Sequence, residues 1–132
     1  MEVRDVVSRL GAECREFVLS NYERELSKLA EATSANVGDL ARCLAALGSD
    51  LRLRILLLLT SSSKPLPACL ISALLGKNPQ LVSYHLRVLR ECGIVREIEV
   101  DKFRLYTVDR DALAMIVLQL SRALNLDICR ER

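Results

Sequence analysis

No glycine-rich loop of the kind that cradles a phosphate occurs in this sequence, and no nucleophile elbow. The single histidine, His85, has no nucleophile motif beside it. No catalytic constellation can be assembled around one imidazole, so an enzyme is not expected. The apolar runs, residues 55–59 and 112–118, fall far short of the roughly 20 residues of a membrane span. Acidic residues come early and no apolar signal core precedes them, so neither a membrane segment nor a secretion signal is expected. There is also no C-x-x-C. The five cysteines, Cys14, Cys43, Cys69, Cys92 and Cys129, are never closer than 23 positions. An odd number without a signal argues for free, packed thiols in a reducing, cytoplasmic compartment.

What is present is a globular composition, 51% hydrophobic and 27% charged, in a chain long enough for a core. The net charge of +2 is small, but its placement is uneven. Residues 1–63 carry 8 basic and 9 acidic side chains, residues 64–106 carry 7 and 4, and residues 107–132 carry 4 of each. The positive excess therefore falls in the middle third.

That third contains residues 77–93, KNPQLVSYHLRVLRECG, which read as one helix with both ends marked. Asn78 is suited to the N-cap, Pro79 to the first helical position and Gly93 to the left-handed residue past the end. Val82, Leu86 and Leu89 form one apolar stripe. Gln80, Ser83, Tyr84, Arg87 and Glu91 lie on the other face, and most of them suit base edges and phosphates. An ordinary amphipathic surface helix has the same pattern, so the flanking segments must decide.

Residues 2–31 predict one long helix, broken in pattern only by Gly11. Val3, Val7, Leu10, Cys14 and Phe17 begin its stripe, and Val18, Tyr22, Leu26 and Leu29 continue it. Such a face needs a partner, either a second copy of the chain or the chain's own domain. Residues 33–38 are a break. Helices follow over 39–47, 51–59 and 67–75, with a turn and cap at 48–50 and a loop at 61–65. The last of these closes a helix–turn–helix with 79–92. After Gly93 the period changes to β-favouring residues, predicting a hairpin over 94–108 with its turn at Asp101 and Lys102. A final helix runs from Asp109 to about residue 126. The fold class is thus mainly α with a small β-hairpin: a winged helix–turn–helix over 35–109, flanked by a long N-terminal helix (1–34) and a C-terminal helix (110–132).

The sequence resembles the ArsR family of bacterial and archaeal repressors. Residues 46–56, ALGSDLRLRIL, are similar to that family's "AL-x-D-P-T-R-L-R-I-L" block. Residues 82–95, VSYHLRVLRECGIV, are similar to its "V-S-x-H-L-x-x-L-x-x-A-G-L-V" block. The hairpin ending in Leu105, Tyr106, Thr107 and Val108 resembles the end of its wing. The resemblance implies a homodimer on double-stranded operator DNA, usually repressing transcription, with the terminal helices dimerising. Helix 79–92 would enter the major groove and wing 94–108 would reach the backbone or minor groove. Gln80, Ser83, Tyr84 and Arg87 would then face bases or near phosphates. Arg90, Arg96, Lys102 and Arg104 would neutralise phosphates. Arg52 and His85 occupy positions that are mainly structural in the family, with packing or a phosphate contact expected of His85.

The departures concern metal sensing. Members that sense metals often carry C-x-C where this chain has Pro67, Ala68 and Cys69, and an acidic residue where it has Leu70. The C-terminal helix offers only Asp109, Asp111 and Asp127. No cofactor and no metal are therefore expected. Two other readings share the same frame. One is a winged-helix protein–protein module of the transcription machinery. The other is a thiol-redox regulator, since Cys14 lies on the presumed dimer seam and Cys92 ends the central helix; a reactive thiol would need exposure and a lowered pKa.

Overall fold

The computed structural model describes residues 1–126. Cys129, Asp127 and the end of the expected 110–132 segment lie outside the described residues. The chain divides into two compact units, Met1–Val37 and residues 38 onward.

In the first unit the expected single helix is two: α1 (Val3–Ser8) and α2 (Ala12–Ala32). The break is at residues 9–11. Gly11 adopts extended backbone (φ −65°, ψ 162°) as the N-cap of α2, and its carbonyl accepts from Arg15 N at 2.8 Å. Glycine has the least to gain from helical backbone, so one Gly at a stripe discontinuity is enough to separate the helices. The chain then doubles back, and the Met1 ammonium donates to Ser34 Oγ at 3.2 Å.

The second unit starts with α3 (Gly38–Leu47) and α4 (Asp50–Ser61). Ser49 caps α4, its side chain accepting from Arg52 N. A two-residue strand, β1 (Leu66–Pro67), leads into α5 (Ala68–Leu75). Pro67 therefore ends a strand rather than starting the helix. Proline has no N–H to give a ladder, and here it sits in an edge strand, where that lack is tolerated. Gly76 (φ +62°) closes α5 and turns the chain toward α6 (Pro79–Glu91). Asn78 Oδ1 accepts from Gln80 N at 2.7 Å, so the cap is as the residues predict. Gly93 (φ +74°) allows Ile94 N to reach back to Leu89 O at 3.1 Å.

Strands β2 (Val95–Val100) and β3 (Phe103–Val108) form the hairpin, joined through Asp101 at φ +55°. Asp tolerates that left-handed backbone better than most residues, which is how the turn manages without glycine. The sheet order is β1-β3-β2, all antiparallel. Helix α7 (Arg110–Ala123) is capped by Asp109 and ends at Ala123, short of residue 126, with Asn125 beyond it at φ +55°.

The core of this unit joins Ile55, Leu56 and Leu59 of α4, Ile71 of α5, and Val82, Leu86 and Leu89 of α6 to Ile94, Val95, Tyr106 and Val108. Ile116 of α7 completes it. Each such aliphatic side chain contributes about 1.5–3 kcal/mol on burial. The stripe of α6 thereby fixes which of its faces is left outward. No helix among the described residues is long and apolar enough to cross a membrane.

Candidate nucleic-acid interface

With Val82, Leu86 and Leu89 at 0–1% exposure, α6 presents Gln80, Ser83, Tyr84 and Arg87 outward. The Arg87 guanidinium lies 5.5 Å from the centre of the Tyr84 ring. A cation over an aromatic face loses conformational freedom before it meets any ligand. Beside this face an open groove of about 600 Å³ runs between α6 and β3. Its walls bring together Gln80, Ser83, Tyr84, Arg87, Arg90 and Arg104, with Ala68 and Tyr106 also lining it. Six of the eight residues picked from the sequence therefore share one groove.

Arg96 and Lys102 do not line it. Arg96 pairs across the ladder with Thr107, so it points to the opposite face of the hairpin, and its Nε lies 3.8 Å from Asp109 Oδ2. Lys102 sits in the hairpin turn. Arg90 and Arg104 are also not open cations: both pair with Glu97, Arg104 Nε at 3.4 Å from its carboxylate. Sequence reading passed over Glu97. Its signal was its parity on β2, shared with core-facing Val95.

Arg52 is structural. Its guanidinium donates to Ala46 O at 3.0 Å and Ala45 O at 3.4 Å, the last turn of α3, where a cation is favoured. Its Nε donates to His85 Nδ1 at 3.0 Å. One side chain thus ties α3, α4 and α6 together behind the outward face. Burial, and then the charge of Arg52, holds His85 below its ordinary value of 6.5. An imidazole accepting at Nδ1 is neutral. Arg54 stays on the surface of α4, bonded to Asp50 at 2.6 Å.

The fold also joins two thiols that the sequence holds far apart. Cys92, at the C-cap of α6, has Cys43 of α3 as a neighbour. Burial and that neighbour push the Cys92 thiol up to about 11. It stays protonated near neutral pH and is a poor nucleophile there. Cys69 is exposed at the start of α5. Among the described residues no group of three or more His, Cys, Asp or Glu is placed to hold a metal ion.

Residues 49–97 match the sequence model of the family described as "Bacterial regulatory protein, arsR family". That match covers 49 of the 132 residues, within the part of the chain folded as a winged helix–turn–helix. Among solved structures it is similar to an ArsR-like transcriptional regulator from Rhodococcus sp. RHA1 (27% identity, 64% of this chain and 78% of that one, TM-score 0.57). It is also similar to a possible transcriptional regulator for arsenical resistance (29% identity, 64% and 85%, TM-score 0.56). A homodimeric winged helix–turn–helix DNA-binding domain from Mycobacterium bovis shares the fold (23% identity, 73% and 89%, TM-score 0.56). No curated protein matches the chain. The ArsR match ends within β2, yet it spans α4, α5 and the whole of α6. The matched family and the Rhodococcus neighbour are described as regulators of transcription.

Proposed function

We propose that the protein is a homodimeric, sequence-specific repressor acting on double-stranded DNA in the cytoplasm. Helix α6 enters the major groove, and the hairpin lies on the backbone or minor groove. Gln80, Ser83, Tyr84 and Arg87 read bases or near phosphates. Arg90 and Arg104 hold phosphates at the groove wall, and Arg96 and Lys102 meet the flanking backbone. The observation that carries this reading is the convergence of four polar and aromatic side chains and two further arginines on one groove, along a helix whose other face is anchored in the core.

Dimerisation draws support from exposed apolar side chains at both ends of the chain. In α2, Phe17 and Leu29 are 60% and 53% exposed, and Met115 and Val117 of α7 are half-exposed. A second copy covering residues 1–34 and 110–132 would remove that surface from water, leaving 35–109 for DNA. The Mycobacterium bovis neighbour is homodimeric.

The test is duplex binding, with fragments from upstream of the gene, unrelated DNA as competitor, and two salt concentrations. Selective retention that weakens with salt is expected. Arg87→Ala should weaken the selected fragment by about 10- to 100-fold, the worth of one bidentate base contact. Full affinity and selectivity in that variant would overturn the assigned reading face.

A protein–protein module is the second reading. The outer face of the hairpin exposes Ile98, Val100 and Phe103, an apolar patch unlike a phosphate-binding surface. Wild-type protein that retains no duplex at low salt would favour it.

A further inference from the structure

Two arginines of the groove wall share one acidic partner, Glu97, that does not itself line the groove and that the proposed contacts do not use. Glu97 lies in the middle of β2, two residues from Val95, so it shares the face that turns toward α6. Its side chain is only 19% exposed. On one side its carboxylate pairs with Arg90 of α6, and on the other with Arg104 of β3 at 3.4 Å. Arg104 is its diagonal neighbour, because the register sets Glu97 against Tyr106 and Glu99 against Arg104. One carboxylate is therefore shared by two guanidiniums from different elements, and both guanidiniums line the groove.

Stability is a weak reason for such an arrangement. Arg90 and Arg104 are 44% and 72% exposed, and partly exposed ion pairs contribute little to folding. The arrangement matters more for what the groove does to a polyanion. Without Glu97, two arginines would sweep the groove and meet the phosphates of any sequence. With it, their positions are set and one unit of positive charge is removed. Non-selective binding grows with the number of phosphates neutralised, whereas base reading depends on side chains at fixed places. A carboxylate beneath two arginines lowers the first without touching Gln80, Ser83 or Arg87.

We propose that Glu97 is a positioning residue that sets selectivity, by fixing Arg90 and Arg104 and cancelling part of their attraction for DNA of any sequence. This rests on the nucleic-acid reading above. The mechanism differs from a wing clamp needed for folding, because it acts through charge. Replacing the carboxylate with a neutral group of the same size should therefore increase binding to the wrong DNA rather than reduce binding to all DNA.

The experiment compares full-length wild type with Glu97→Gln on two duplexes: the upstream fragment that wild type retains, and a random-sequence duplex of equal length. Each is titrated over a series of salt concentrations, with a melting curve for every variant. The Gln variant should hold the random duplex severalfold more tightly. Its log-affinity against log-salt slope should steepen by about 0.9, the worth of one more neutralised phosphate. The ratio between the two duplexes should fall. Glu97→Asp keeps the charge and should return slope and ratio toward wild type. Should the Gln variant fail to fold, Glu97→Ser, smaller and neutral, gives the same comparison. A neutral variant with unchanged random-duplex affinity and slope overturns the proposal, as does an equal loss on both duplexes. Wild type that retains no duplex at all overturns the nucleic-acid reading and this proposal with it. Wild type that binds selectively beside an unaltered Gln variant removes only the role of Glu97.

Discussion

Helices α2 and α6 both carry apolar residues at helical spacing, and the chain uses them differently. In α6, Val82, Leu86 and Leu89 are buried to within 1%. In α2, Phe17, Leu19, Tyr22 and Leu29 stand 40–60% exposed. Periodicity states that a helix has an apolar face; it does not state what covers that face. For α6 the cover is α4, α5 and the sheet, drawn from the same 38-onward unit. For α2 the exposed residues are the reason for assigning a second copy.

The largest effect should come from breaking the covered face. Leu86→Ala removes a side chain that is 1% exposed at the centre of the core. A loss of about 2–5 kcal/mol is expected, from lost transfer energy and the cavity left behind. Urea unfolding of the variant against wild type measures it. A loss under about 1 kcal/mol would mean that α6 is not anchored as described, and its outward face would then be unassigned. The matching change on the uncovered face is Phe17→Glu. In a single chain an exposed Phe changes stability by only about 0.5 kcal/mol either way. On a dimer seam, the same change buries a charge and should shift sedimentation to the monomer. It should also remove any dependence of the unfolding midpoint on protein concentration. A variant that sediments as wild type would take α2 out of the dimer seam.

The same contrast explains what was legible in the sequence. The ends of α6 were readable because their chemistry is local: Asn78 caps with its own side chain, Pro79 has no N–H to lose, and Gly93 takes φ +74°. The outward residues followed from the stripe, and six of the eight selected line one groove. What was missed is non-local or marginal. Strand β1 exists only because Leu66 and Pro67 find Tyr106 and Leu105, forty positions on. The meeting of Cys43 with Cys92 depends on how α3 packs on α6. The break at Gly11 rested on a helix penalty of about 1 kcal/mol, too small to read with assurance inside a long periodic segment. Glu97 was visible in principle, as a carboxylate on the inward parity of β2. A pattern search that looks for cations on an outward helix face passes over the anion that pairs with them.

The smallest effect concerns pH and isolates the contact behind α6. His85 is the only histidine, and burial beside Arg52 lowers its pKa from 6.5. Above 6.5 neither the folded nor the unfolded chain protonates it, so its full contribution to stability is present. As pH falls through 6.5, the unfolded chain takes up a proton that the folded chain refuses. The equilibrium then shifts toward unfolding, until the folded value is passed. The melting temperature should therefore fall modestly between about pH 7 and about pH 5. His85→Gln offers Arg52 an uncharged acceptor and cannot titrate, so its curve should be flatter over that interval. Carboxylates titrate mostly below this interval and are the same in both proteins, which leaves the difference between the two curves to His85 alone. Parallel curves would mean that the Arg52–His85 bond is not kept in solution. The link from α3 and α4 to the back of α6 would then have to rest on packing without it.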